Sequence, residues 1–273
     1  MIGKLYVVGT PIGNLSDMSE RAKQILSTVD FIAAEDTRVT IKLLNNFGIK
    51  KEMISYFEHN KSQKGEIIIN RILAGESCAL VSDAGMPAIS DPGEELVRGA
   101  HEKGVVVESV PGPSAVITAL SISGMPSGRF CFEGFLSVNK LSRKKHLDEL
   151  KNETRTMIFY EAPHKLLATL KDMYSVFGDR EISVVKELTK LHETVFRTTL
   201  LAAVDYFTAN APKGEYVLII GGKKEAERTE YTLEDAVKIA KKLQVDGMST
   251  AAAAKEAAVA TGIKKAEIYK EII

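Results

Sequence analysis

Short β-branched runs alternate with stretches of helical period along the first half of the chain. Lys4–Val8, Val29–Ala34, Cys78–Ser82 and Val105–Val110 read as strands, with a weaker one near Met53–Phe57. Helix punctuation falls between them. Asp17 and Glu20 have capping-box spacing ahead of Ala22, Ile25 and Leu26. Ile41, Leu44 and Phe47 recur at helical spacing and stop at Gly48, and Ile68, Ile69, Ile72 and Leu73 do the same before Gly75. Asp91-Pro92-Gly93-Glu94 opens a further helix, with proline where its missing N–H costs nothing. Such alternation predicts a mostly parallel sheet flanked by helices.

Ser114–Ser123 reads as a helix ending at Gly124, and Pro126-Ser127-Gly128 as a hinge. A second αβ set follows, with strands near Met157–Tyr160, Ile182–Lys186 and Tyr216–Ile220 and a helix over Lys165–Phe177. After Gly221-Gly222 come a charged stretch, Lys223–Glu230, and a helical tail. There Ala236, Ile239, Ala240 and Leu243 form one stripe, Ala251–Ala260 is alanine-rich, Gly262 breaks it, and Lys264–Ile272 is a last short helix. The outline is that of a helix-turn-helix. The expected domains are 1–112, 113–222 and 223–273.

Composition narrows the function classes. The 273 residues carry 36 basic and 36 acidic side chains, which excludes a protein held to nucleic acid by bulk charge. The two cysteines, Cys78 and Cys131, sit in apolar stretches, so the expectation is a reduced, cytoplasmic protein without a disulfide framework. No apolar run approaches the ~20 residues of a membrane span. The five histidines are scattered, so no metal site is expected.

Glycine, proline and small polar residues gather directly after the expected strands. The loops are Gly9-Thr10-Pro11-Ile12-Gly13-Asn14, Glu35-Asp36-Thr37-Arg38, Asp83-Ala84-Gly85-Met86-Pro87, Pro111-Gly112-Pro113-Ser114, Glu161-Ala162-Pro163-His164 and Glu187-Leu188-Thr189. Ligands of open α/β sheets bind beyond the carboxyl ends of the strands, so six such loops from two αβ halves predict a cleft between them. Neither glycine-rich phosphate motif is present, and Pro11 removes an N–H from the first loop. A nucleoside-like ligand without phosphates fits better. Asp83 can take ribose hydroxyls, and the backbone at Gly85 with the small Ser114-Ala115 pair lets an adenosine lie close.

The strings VGTPIGNLSDMSERA, AAEDTR, LVSDAGMPAISDPG, VPGPSA, FEGFL, FYEAPHKL, KELTKLHE and GEYVLIIGG occur in order from about Lys4 to Gly222. Together they resemble the RsmI-type small-subunit ribosomal RNA methyltransferases of the tetrapyrrole-methylase superfamily, and the tail resembles that family's C-terminal extension. The resemblance implies an α/β fold of two αβ domains with a cleft between them and a helix-turn-helix-like extension. It implies S-adenosylmethionine as cofactor, a homodimer, and 16S rRNA of the small ribosomal subunit as partner, with neither membrane nor DNA. The methyl would go to the ribose 2′-oxygen of a cytidine in the decoding region. Cofactor contacts implied are Thr10, Pro11, Asp83, Ala84, Gly85, Met86, Ser114 and Ala115, with Tyr160, Leu188 and Glu215 closing over the adenosine.

A ribose hydroxyl is a poor acid, so a base or a cation near the developing alkoxide is needed. Glu187 and Lys190 are the candidates, with Glu35 and Asp36 in reserve; Glu35-Asp36-Thr37-Arg38 reads equally well as a helix cap. For RNA, Lys140, Arg143, Lys144, Lys145 and His146 lie in a loop-like stretch, Gly134–Leu147, that has no acidic residue. It reads equally as a basic helix start. Two other functions remain open: a methyltransferase acting on a tetrapyrrole or other small molecule, and a ligand-sensing helix-turn-helix regulator. The regulator requires a distinctly basic tail, whereas 223–273 carries 10 basic and 9 acidic residues.

Overall fold

A computed structural model describes residues 2–224 and 231–273, which form two compact units, Met1–Lys223 and Lys224–Ile273. The first unit holds two five-stranded sheets.

The first sheet comprises β1 (Lys4–Val8), β2 (Phe31–Ala34), β3 (Glu52–Ser55), β4 (Cys78–Val81) and β5 (Val106–Val110), in the order β3-β2-β4-β1-β5. Every pairing is parallel, with Leu5 opposite both Cys78 and Val107. Phe31–Ala34 and Cys78–Val81 are buried at every position, as strands covered on both faces must be. Alternate residues serve opposite cores: Phe31 and Ala33 pack with Ile68, Ile72 and Leu96, while Ile32 and Ala34 pack with Ala22, Leu26 and Leu44. The covering helices are α1 (Glu20–Thr28), α2 (Thr37–Asn46), α3 (Lys61–Leu73) and α4 (Glu94–Glu102). The cap of α1 differs from expectation. Ser19 takes that place, accepting from the Ala22 N–H, while Asp17 closes a single 3-10 turn. Val29 caps the end of α1, so the strand opens at Phe31.

The chain crosses over through α5 (Ala115–Ser123), which ends on the left-handed Gly124 as expected. The second sheet contains β6 (Phe130–Phe135), β7 (Thr156–Glu161), β8 (Glu181–Lys186), β9 (Thr194–Thr199) and β10 (Tyr216–Ile220), ordered β6-β7-β10-β8-β9. Only β6 and β7 pair in parallel; the remaining pairs are antiparallel. The sequence reading contains neither β6 nor β9. Both are edge strands with largely exposed or half-buried residues, so the apolar run that betrays a central strand is missing from them. α6 (Lys140–Glu149), α7 (Pro163–Phe177) and α8 (Leu200–Ala209) complete this half, while α5 packs on the opposite face of the sheet with Ile158, Val185 and Val217. The basic stretch is therefore mostly a helix, capped by Asn139, whose side chain accepts from the Leu141 and Ser142 N–H groups.

The second unit is α9 (Leu233–Val245), α10 (Thr250–Thr261) and α11 (Lys265–Ile272) around Ala236, Ala240, Ala254, Ala257 and Ile268. Thr232 and Asp235 form a reciprocal capping box, and Gly262 ends α10 in the left-handed region. Of the charged stretch 223–230, positions 225–230 lie outside the described residues.

Candidate active site

The turn-rich loops do converge. Those after β1, β2, β4 and β5 meet those after β7 and β8, the end of β6 and the start of β10 around a cavity of about 440 Å³ between the two sheets. Asp83, Ala84, Gly85 and Met86 form one wall with Ser114 and Ala115, and Tyr160, Leu188 and Glu215 stand on the other. Nine of the eleven expected cofactor residues thus line one space. Thr10 and Pro11 do not. Thr10 is buried behind the wall, where its N–H donates to the Gly85 carbonyl (2.9 Å) and the Gly85 N–H donates back to the Thr10 carbonyl (3.0 Å). Its two hydrogen bonds tie the β4 loop to the β1 loop.

Gly13 shows how closely the two halves approach. A Cβ there would lie 2.9 Å from the Leu188 carbonyl oxygen and 2.7 Å from Lys190 Cγ, so only glycine fits. Backbone strain concentrates at the same place. Ala88, Ser90, Glu187 and Thr189 have positive φ without being glycine, the first two in the loop after β4 and the last two in the loop after β8. Such conformations cost about 1–3 kcal/mol each and persist where the surroundings enforce them.

The charge pattern of the wall is one-sided. Glu35, Asp83, Asp91, Glu161, Glu187 and Glu215 line the cavity, and among the described residues no lysine, arginine or histidine does. The carboxylates differ in state. Burial pushes Glu35 above its ordinary value, and Asp83, Asp91 and Asp36 reinforce this, although Glu35 Oε2 accepts from the Asp83 N–H at 3.3 Å. Burial likewise raises Asp83 and Asp91. Glu187 is held low instead, chiefly because it accepts from the Glu215 N–H (2.9 Å) and also from the Lys190 ammonium (3.1 Å). Glu161 is a structural acid: it accepts from the Ala162 N–H at 2.8 Å and the Thr169 hydroxyl at 2.5 Å, fixing the turn into α7.

Lys190 does not line the cavity. It sits behind the wall between Glu187 and Glu215 (2.7 Å to the latter), and their hydrogen bonds raise its pKa against the opposing effect of desolvation. Asp36 also stays off the wall. It caps α2 by accepting from the Arg38 N–H and pairs with the Arg38 guanidinium, which holds its carboxyl down at about 2. The cap reading of that loop is the one the geometry supports.

Sequence reasoning missed Asp91, Ile89, Phe135 and Tyr216, which also line the cavity. Each lies inside a motif string, Asp91 and Ile89 in LVSDAGMPAISDPG and Phe135 in FEGFL, but only the folded loops bring them inward. Among the described residues no group of three or more histidine, cysteine, aspartate or glutamate side chains is arranged to hold a metal. The basic run splits as well. Arg143 pairs with Asp172 (2.7 Å) and His146 with Glu133 (2.9 Å), while Lys140, Lys144 and Lys145 are exposed and form no ion pair among the described residues.

Comparison with known proteins follows the same lines. The model of the tetrapyrrole (corrin/porphyrin) methylases matches residues 4–203. A protein of Synechocystis named ribosomal RNA small subunit methyltransferase I is 45% identical over 270 residues, covering 98% of this chain and 97% of that one. One of the same name from Thermotoga maritima is 45% identical over 223 residues, covering 82% of this chain and 100% of its own. Among solved structures, uroporphyrin-III C-methyltransferase of Thermus thermophilus in complex with S-adenosylhomocysteine shares the fold at a TM-score of 0.56 and 18% identity. That match covers 80% of this chain and 97% of that one.

Proposed function

This chain belongs to the tetrapyrrole methylase family, and from that premise we propose that it transfers a methyl group from S-adenosylmethionine to 16S rRNA of the small ribosomal subunit. The acceptor is the ribose 2′-oxygen of a cytidine in the decoding region. The observation that carries the reading is the cavity wall with six carboxylates and no cation. Such a wall repels phosphate and attracts a ligand whose charge is positive. The volume suits a ligand of nucleoside size, as pockets for molecules of that class run from about 300 Å³ upward.

S-adenosylmethionine, when bound, supplies a methyl on a positively charged sulfur. Asp83 accepts from ribose hydroxyls, the backbone at Ala84–Met86 and the small Ser114 and Ala115 allow close approach, and Tyr160 and Leu188 close the apolar side. Burial pushes the Tyr160 phenol up to about 12, so it stays neutral. Thr10, Pro11 and Lys190 act from behind the wall. Glu35 is the general base: burial and the neighbouring acids raise its pKa and make it the stronger proton acceptor, whereas the Glu187 carboxylate is already engaged by the Glu215 N–H and the Lys190 ammonium. Much of the acceleration comes from holding oxygen and methyl in near-attack geometry. The unpaired lysines of α6 take substrate phosphates.

The same reading includes a homodimer, supported by exposed Ile117 and Ile122 on the apolar α5, and a cytoplasmic location with the ribosome. No described helix is long and apolar enough to cross a membrane. The test is transfer of labelled methyl to isolated small subunits, with the product mapped by nucleoside analysis. Label in a 2′-O-methylcytidine of 16S rRNA is expected; label found only in a porphyrinoid overturns the proposal.

A further inference from the structure

We propose that Phe135 is the surface on which the target cytosine stacks, so that the ring, and not only the cations around it, selects an unpaired nucleotide. This rests on the reading of the substrate as ribosomal RNA and adds a residue that decides which part of it enters.

The argument begins in the backbone of β6. In a regular strand Phe132 and Phe135, three positions apart, face opposite sides of the sheet. Here the pairing with β7 slips between Phe132 and Gly134: Phe132 pairs with Ile158 and Gly134 with Phe159, leaving Glu133 as the extra residue. Gly134 has φ +64, a left-handed conformation open to glycine, immediately after the extra residue. The bulge turns the end of the strand over. Both rings consequently reach Tyr160, with centroids at 5.0 Å for Phe132 and 5.3 Å for Phe135.

The two rings have different fates. Phe132 is half-buried against the core, but Phe135 is 58% exposed although it lines the cavity. Ile89, 50% exposed, lines the same cavity from the loop after β4. An aromatic ring left in water beside a ligand cavity, tilted at 59° against a second ring, is a platform lacking its partner.

Its neighbourhood names that partner. The turn after Phe135 is tied to α6 by Arg143, whose guanidinium donates to the carbonyls of Ser137 (3.1 Å) and Val138 (3.4 Å) and is anchored on Asp172. Arg143 is thus spent on the turn. On the outward side of α6, Lys140 and Lys144 lie one turn apart beside Lys145, all exposed and without ion pairs among the described residues. An apolar ring on the strand that leads into a helix carrying exposed lysines matches a polyanion that carries flat rings, which is a single-stranded nucleic acid. A ribose 2′-oxygen brought into the cavity carries its base with it, and a ring at the cavity wall gives that base a surface to stack on.

The experiment compares wild type, Phe135→Leu and Phe135→Tyr. Methyl transfer to small subunits is measured under single-turnover conditions, and S-adenosylmethionine binding by calorimetry. A third readout is quenching of a fluorescent cytidine analogue placed at the target position of an rRNA fragment. Phe135→Leu is expected to lower kcat/KM for the subunit about ten- to hundredfold, the range that loss of one stacked base gives. It should keep cofactor affinity and abolish the quenching; Phe135→Tyr should restore both. Unchanged kcat/KM in Phe135→Leu overturns the proposal, as does weakened cofactor binding, which would assign the ring to the adenine. A wild type that methylates no ribosomal RNA overturns the parent reading and this one together, whereas a working wild type matched by Phe135→Leu overturns the stacking role alone.

Discussion

Glu35 and Glu187 are the same residue type on the wall of one cavity, and their surroundings drive them apart. Glu187 accepts from a backbone N–H and a lysine, which favours the charged form; Glu35 is desolvated among three other acids, which disfavours it. On the proposed reading the proton acceptor is set by environment and not by the motif in which the residue sits. A carboxyl whose folded pKa lies above its unfolded value binds its proton more tightly in the native state. Its contribution to stability is present below the unfolded value and is lost as pH rises through the folded one, so at neutral pH ionised Glu35 opposes folding. Glu35→Gln is expected to raise Tm by about 1–3 °C at pH 7. The gain should vanish below the ordinary value of 4.5, and kcat should fall about a hundredfold or more. Thermal melts across pH with single-turnover rates check this. A variant that is destabilised at pH 7, or that retains full turnover, contradicts the assignment.

At the scale of elements, the site is made by loops that touch across two sheets, and Gly13 marks the tightest approach. Gly13→Ala pushes a methyl into the Leu188 carbonyl, a contact that neither backbone can relieve without moving its loop. The expected result is cofactor affinity lowered about tenfold or more, with the Tm reduced, since overpacking of this kind costs about 1–3 kcal/mol. Calorimetry and a thermal melt on the one variant measure both; wild-type affinity would show that the β1 and β8 loops do not jointly shape the site. Elements of this kind were unevenly legible. The central strands Phe31–Ala34 and Cys78–Val81 announce themselves because burial on both faces demands unbroken apolar runs. β6 and β9 do not, since an edge strand can keep Glu133, Thr194 or Arg197 without cost. The bulge at Gly134 was also invisible: a glycine in FEGFL marks a bend only once the partner strand is known. The basic run misled in a different way, because which cations are free depends on Asp172 and Glu133 lying nearby in space.

At the scale of the whole molecule, neutral net charge coexists with an acid-lined cavity and a separate row of free lysines on α6. On the proposed reading the segregation gives each ligand its own field, negative at the cavity for a sulfonium and positive on α6 for phosphates. The cavity, though not the free lysines, lay open in the sequence as glycine- and proline-rich loops after strands, because turns of this kind need unusual backbone. The carbon-to-oxygen aim of the reaction did not, since it depends on which loop ends face each other. The direct check is a crystal structure with S-adenosylhomocysteine. The ligand is expected between the two sheets, against Asp83–Met86 and Ser114 on one side and Tyr160 and Leu188 on the other. A ligand bound anywhere else on the chain, or an empty cavity at saturating concentration, would contradict the account.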